Sequence, residues 1–224
     1  PLRSRLKEFA SAPQSFDSVM ANAKALLACK APLSAQMVLS RFSPSIGVQR
    51  RAWLLLSWEA ANASMDYAKA ALILRRLSQG KLLDLESQSI SIVSEDGRTL
   101  ERSALDLLAE HEIALGNIHL AIQVLMAGRN QGVNGSRRLN LAANLITRLD
   151  AKEANKLLTF ALEGMIEDQA WTLAEKTLRL KLNLIPLEAN DSDLKDLLEL
   201  LEKTNTLNLP SVWGKIQRQI SFAD

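Results

Sequence analysis

An all-α fold is what this sequence of 224 residues predicts, and three observations predict it. The apolar share of 47% comes mostly from Leu and Ala, with only 4% aromatic residues. Leu and Ala lose little side-chain freedom in a helix, whereas strands favour β-branched and aromatic residues. Apolar residues also recur at three- and four-residue steps, as in Phe16, Val19, Met20, Ala23, Leu26 and Leu27, which is the spacing of one buried helical face. Finally, nine glycines and six prolines are too few for the many tight turns of an all-β protein. The length permits one domain or two small ones, at about 100–200 residues each, and the apolar share excludes disorder for most of the chain.

Taken in order, the first helical face covers Phe16 to Leu27, and Pro32 suits the first turn of a second helix running to about Phe42. Ser43-Pro44 marks a boundary, and the Ala- and Leu-rich stretch from Gln49 to Leu77 holds two helices. Further helices fit 99–115, 118–129, 136–148, 151–164, 168–183, 191–204 and 210–221. One stretch, 81–98, breaks the pattern: Ser and Ile alternate over Ser87 to Ser94, then Glu95-Asp96-Gly97 follows. It can form a short strand or an extended loop, and reads as an excursion between helices rather than a functional β-element.

The chain also repeats. Trp53-x2-Leu56-Ser57-x2-Ala60 recurs as Leu105-x2-Leu108-Ala109-x2-Glu112, Arg138-x2-Leu141-Ala142-x2-Leu145 and Trp171-x2-Ala174-Glu175-x2-Leu178, with an earlier copy at Val19-x2-Asn22-Ala23-x2-Leu26. The five starts are 34, 52, 33 and 33 residues apart, so the long gap is one period plus an insertion. A second half follows in Ala35-x3-Leu39, Ala70-x3-Leu74, Ala121-x3-Leu125 and Ala154-x3-Leu158. This pattern resembles the tetratricopeptide repeat, W-x2-L-G-x2-Y followed by A-x3-F in a period of 34. Ala114-Leu115-Gly116-Asn117-Ile118 resembles that family's inter-helix turn. The tyrosine slot is never Tyr here, the closing proline is missing, and the fifth copy loses register after Trp171.

The resemblance implies a right-handed α-α superhelix of about five helix pairs over 15–183, interrupted at 81–98. An N-terminal extension covers 1–14, and capping helices cover 184–224. It also implies a concave groove lined by the first helix of each pair. Lys24, Arg51, Trp58, Asp106, Glu110, Lys176 and Arg179 fall at its groove-facing positions. With Trp53 already in a core slot, Trp58 is expected either as an exposed anchor for a partner or packed against a neighbouring helix or the insertion. The Lys and Asn set with which some family members hold a C-terminal carboxylate is missing, with Glu110 and Ala143 at matching positions.

Enzyme chemistry finds no foothold. No phosphate loop, G-x-S-x-G or H-E-x-x-H motif occurs. His111 and His119 read as surface histidines, Cys29 as an inert thiol, and Glu101 with Asp106 as part of a solvated helix face. No metal or cofactor is expected. The net charge of +2 carries no nucleic-acid footprint. Only if Arg50-Arg51, Arg75-Arg76 and Arg137-Arg138 gathered with Arg129 and Arg148 would phosphate backbone binding follow. The longest uncharged stretch, Ile113 to Gly128, is shorter than the ~20 residues of a membrane span. The expectation is therefore a cytoplasmic, non-enzymatic scaffold or adaptor that takes a peptide, helix or domain of a protein partner. The alternatives are a self-associating structural subunit and a nucleic-acid-binding repeat protein. The chain opens at Pro1, which leaves an upstream targeting segment open.

Overall fold

The computed structural model describes residues 15–44, 46–93, 97–128, 132–147 and 149–184, together with Glu199. The extension at 1–14 and the capping helices expected at 191–204 and 210–221 lie outside the described residues. Within them the chain is mostly helical: α1 (Phe16–Ala28), α2 (Pro32–Leu39), α3 (Val48–Ala63), α4 (Tyr67–Leu77), α5 (Ala104–Ala114), α6 (Ile118–Ala127), α7 (Val133–Ile146), α8 (Ala151–Glu167) and α9 (Trp171–Leu184). Between α4 and α5 lie a single 3-10 turn (Leu82–Leu85) and the strands β1 (Ser89–Val93) and β2 (Thr99–Ser103).

Of the two forms open to the alternating Ser and Ile, the chain takes the strand; the correction is its antiparallel partner, residues 99–103, which the periodicity assigns to a helix. The register pairs Ser89 with Ser103 and Ser91 with Glu101. Alternation then turns Ile90 inward, 7% exposed, while Glu101 accepts hydrogen bonds from the hydroxyls of Ser89 and Ser91 on the other face. Ser103 ends the strand and starts the helix. Its hydroxyl caps the Leu105 N–H at 3.2 Å and donates to the carbonyls of Leu85 and Glu86.

Elsewhere local chemistry sets the boundaries. Ser15, Asp66 and Asp150 cap α1, α4 and α8 through their side-chain oxygens, and Pro32 occupies the first turn of α2. The turns after α1, α3, α5 and α8 share one geometry. In each, a residue with φ between 55° and 76° (Lys30, Met65, Gly116, Gln169) is followed by an N–H bonded to a carbonyl five residues back, at 2.7–2.9 Å. This is the left-handed helix stop, and only Gly116 advertises it in the sequence.

The chain divides into two compact units, Pro1–Ala121 and Ile122–Asp224. In the N-terminal unit each helix packs on the next through α5, and α1 also touches α3. Val19, Ala23, Ala35, Leu39, Leu56 and Ala60 form one core cluster, with Trp53 packed against it. A polar strap reinforces it: Gln36 donates to Ser64 Oγ at 2.6 Å and accepts from Lys69 Nζ at 2.6 Å. In the C-terminal unit α8 packs against both α7 and α9 around Leu162, Met165, Ile166, Ala174 and Leu178. Asn140 of α7 reaches the fully buried Thr177 hydroxyl of α9 at 2.6 Å.

Close approach of α7 and α8 rests on Gly164, because a Cβ there would collide with Ser136 Oγ. Gly164→Ala should therefore lower stability through an overpacking cost of about 1–3 kcal/mol, which exceeds the ~1 kcal/mol gained in helix propensity. Adding Ser136→Ala removes the clash and should recover the loss, as followed by urea unfolding. A single Gly164→Ala variant as stable as the parent would contradict this account.

Candidate functional site

Of the residues assigned to a groove, Trp58 is the clear correction. It is 2% exposed, so it is no surface anchor. Its indole Nε1 donates to His111 Nε2 at 3.0 Å, linking α3 to α5. Tyr67 of α4 stacks on the same imidazole, with ring centroids 5.6 Å apart. His111 is accordingly a core residue, 4% exposed, and not the surface histidine expected; His119 is exposed. Next to it, Glu112 is 3% exposed and fully served: Arg75 donates to Oε1 at 2.7 Å and Asn117 Nδ2 to Oε2 at 2.8 Å. A buried carboxylate is tolerated only when paired in this way.

The remaining groove positions scatter. Lys24 is exposed on α1 and pulls down the carboxyl of Glu59 on α3, against the larger upward push of partial desolvation. Glu110 is exposed but pairs with Arg102 of the hairpin. Asp106 is half-buried and engaged. Lys176 and Arg179 belong to α9, where Arg179 binds Glu175 one turn back at 3.0 Å. Glu101 sits on β2, not on a helix with Asp106.

Arg51 is the exception, because it lines a cleft of about 550 Å³. Ile46, Gly47, Arg50, Arg51 and Leu54 come from the start of α3, and Arg75, Arg76 and Leu77 from the end of α4. Gln79, Gly80 and Gln88 complete the wall. Four of these residues are arginines and none is acidic. Two doublets noticed in the sequence therefore converge. The third doublet belongs to α7 of the C-terminal unit, where Arg138 is buried, and Arg129 and Arg148 lie outside the described residues.

The four arginines are not equivalent. Arg75 is committed to Glu112, and Arg50 donates to the Pro44 carbonyl at 3.0 Å. Arg51 and Arg76 are exposed, and neither guanidinium has a hydrogen-bond or ion-pair partner among the described residues. Arg75 and Arg76 stand in the last turn of α4, where a cation complements the helix dipole. Arg50 and Arg51 stand in the opposite situation. They lie at the beginning of α3, which has no acidic residue in its first turn and a Gly47 cap that offers no side-chain acceptor. Positive charge there opposes the dipole, at a cost of about 0.3–1 kcal/mol per residue. Fold stability does not account for that placement. Gln88 adds a carboxamide whose Oε1 is buried without a partner.

Chemically the cleft can hold an anion by paired guanidiniums. Among the described residues no cluster of metal-ligating side chains occurs. A second cleft, about 440 Å³, lies in the C-terminal unit beside Gly132, Gly135, Phe160 and Gly164, and its charged lining is Glu163 and Glu167, with no arginine among the described residues.

The buried His111 makes one pH dependence explicit. Desolvation holds its pKa below the ordinary value of 6.5, with Glu110 and Glu112 pulling the other way. Below about pH 6.5 the unfolded chain then binds the proton that the folded imidazole refuses, so stability falls as pH drops. Urea unfolding at pH 7.5 and 5.5 should show this loss in the parent and a smaller one in His111→Phe. Equal losses in both would contradict it.

No protein-family model, curated protein or solved structure matches this chain.

Proposed function

We propose that the chain is a tetratricopeptide-like helical-repeat protein working as a non-enzymatic interaction scaffold or adaptor for a protein partner. The observation that carries this reading is which residues the repeat consumes. The recurring slots Val19 and Ala23, Leu105 and Ala109, and Ala142 are buried, as are the second-helix slots Ala35, Ala70, Ala121 and Ala154. Repetition therefore encodes packing between neighbouring helices, as in a solenoid, and leaves side chains off the repeat free to recognise a partner. The unpartnered arginines of the α3–α4 cleft are the clearest such group.

Self-association through the hairpin is the second reading. Among the described residues the sheet has two strands, so β1 and β2 each keep one edge without a strand partner there, and such edges accept further strands. Among the described residues no helix is long and apolar enough to cross a membrane. Nucleic acid is disfavoured because, among the described residues, the arginine cleft has no aromatic wall on which bases could stack.

Affinity capture with the full chain, followed by reconstitution with the purified candidate, tests the proposal. A stoichiometric protein complex, with the free chain monomeric by light scattering, is expected. A concentration-dependent homo-oligomer with no heterologous partner would favour the hairpin reading instead.

A further inference from the structure

We infer that the α3–α4 cleft is a docking site for an acidic peptide segment that carries apolar residues between its carboxylates. The inference rests on the scaffold reading and goes beyond it by fixing the chemistry of the partner.

Charge complementarity is the first argument. Among the described residues Arg51 and Arg76 face the cleft without partners, Arg50 has one hydrogen bond, to the Pro44 carbonyl, and no carboxylate lines the wall. Guanidinium forks match carboxylates with two parallel hydrogen bonds. The two free arginines come from different helices, so they are suited to two separate acidic groups.

The surroundings decide what bears those groups. Ile46 is 84% exposed and Val48 87% exposed at the start of α3, and Ile46 forms part of the wall. Leu54 and Leu77, 3% and 8% exposed, back the cleft with apolar surface. An apolar rim beside arginines suits a peptide with Leu- or Ile-like side chains and gives little to a phosphate chain. Bases, finally, would find no aromatic surface to stack on among the described residues of the wall.

The site differs from the groove predicted from the repeat. It lies where α3 begins and α4 ends, and of the seven groove residues named from the sequence it uses only Arg51.

The test uses the full chain and a fluorescein-labelled peptide of alternating glutamate and leucine, read by fluorescence anisotropy. Saturable binding that weakens as salt rises is expected. The double variant Arg51→Gln/Arg76→Gln should lose affinity by about tenfold or more, since each 1.4 kcal/mol is a factor of ten. Its urea midpoint should stay close to the parent's, because the helix-dipole effects of Arg51 and Arg76 are of opposite sign and neither guanidinium has a partner among the described residues. An isostere with glutamine at every glutamate should bind the parent no better than the acidic peptide binds the variant. Equal affinity of parent and variant for the acidic peptide would overturn the inference. So would tighter binding of a labelled single-stranded oligonucleotide at the same salt, abolished in the variant. A reconstituted partner complex that forms equally well with the double variant would remove this cleft while leaving the scaffold reading in place.

Discussion

The hydrogen bond from Trp58 to His111 is the contact on which the N-terminal unit turns. Residues 78–103 leave the helical stack between α4 and α5, so the backbone alone does not place α5 beside the preceding pair. Side chains do. The indole of α3, the phenol ring of α4 and the imidazole of α5 meet in one buried cluster. Arg75 reaches from α4 to Glu112 of α5 next to it. Ser103 locks the return of the hairpin by closing both the strand and the helix cap. A buried polar cluster is worth keeping only when every member is satisfied. Trp58 donates, His111 accepts, and Glu112 has Arg75 and Asn117 as donors.

This arrangement also shapes the arginine cleft. Because Glu112 engages Arg75, one of four cationic groups is neutralised and the end of α4 is held in place. Arg76 and Arg51 then line the same cleft with no acid beside them among the described residues, in a wall that mixes polar groups with Ile46, Leu54 and Leu77. The same helix end therefore serves twice: one arginine ties down the next helix, and its neighbour stays available.

Much of the fold was legible. Small residues at the repeated slots, Ala23, Ala109, Ala142 and their second-helix counterparts, are buried as the spacing implies, because only a small side chain fits where two helices approach closely. The pairing of Gln49 to Leu77 into two helices also followed from periodicity. The turns at Lys30, Met65 and Gln169 did not, because their left-handed conformations are carried by residues that usually avoid them. Nor did β2: Thr99 to Ser103 has neither alternation nor a breaker to separate it from α5, and its pairing with β1 is a non-local fact. At the site, Trp58 misled because an indole with a donor reads as well outside as inside. The missing signal was His111, a compatible acceptor 53 residues away. The convergence of Arg50-Arg51 with Arg75-Arg76 was visible as a pattern of doublets, yet only the packing of α3 on α4 shows which doublets meet.

The most direct measurement is a double-mutant cycle on Trp58→Phe and His111→Phe, read by urea unfolding. If the indole–imidazole bond joins α3 to α5, the two substitutions should couple by about 0.5–3 kcal/mol, as contacting residues do. The double variant should then lose less stability than the sum of the single changes. Strict additivity would contradict the account, since it would mean that α5 is held against α3 and α4 by something other than this contact.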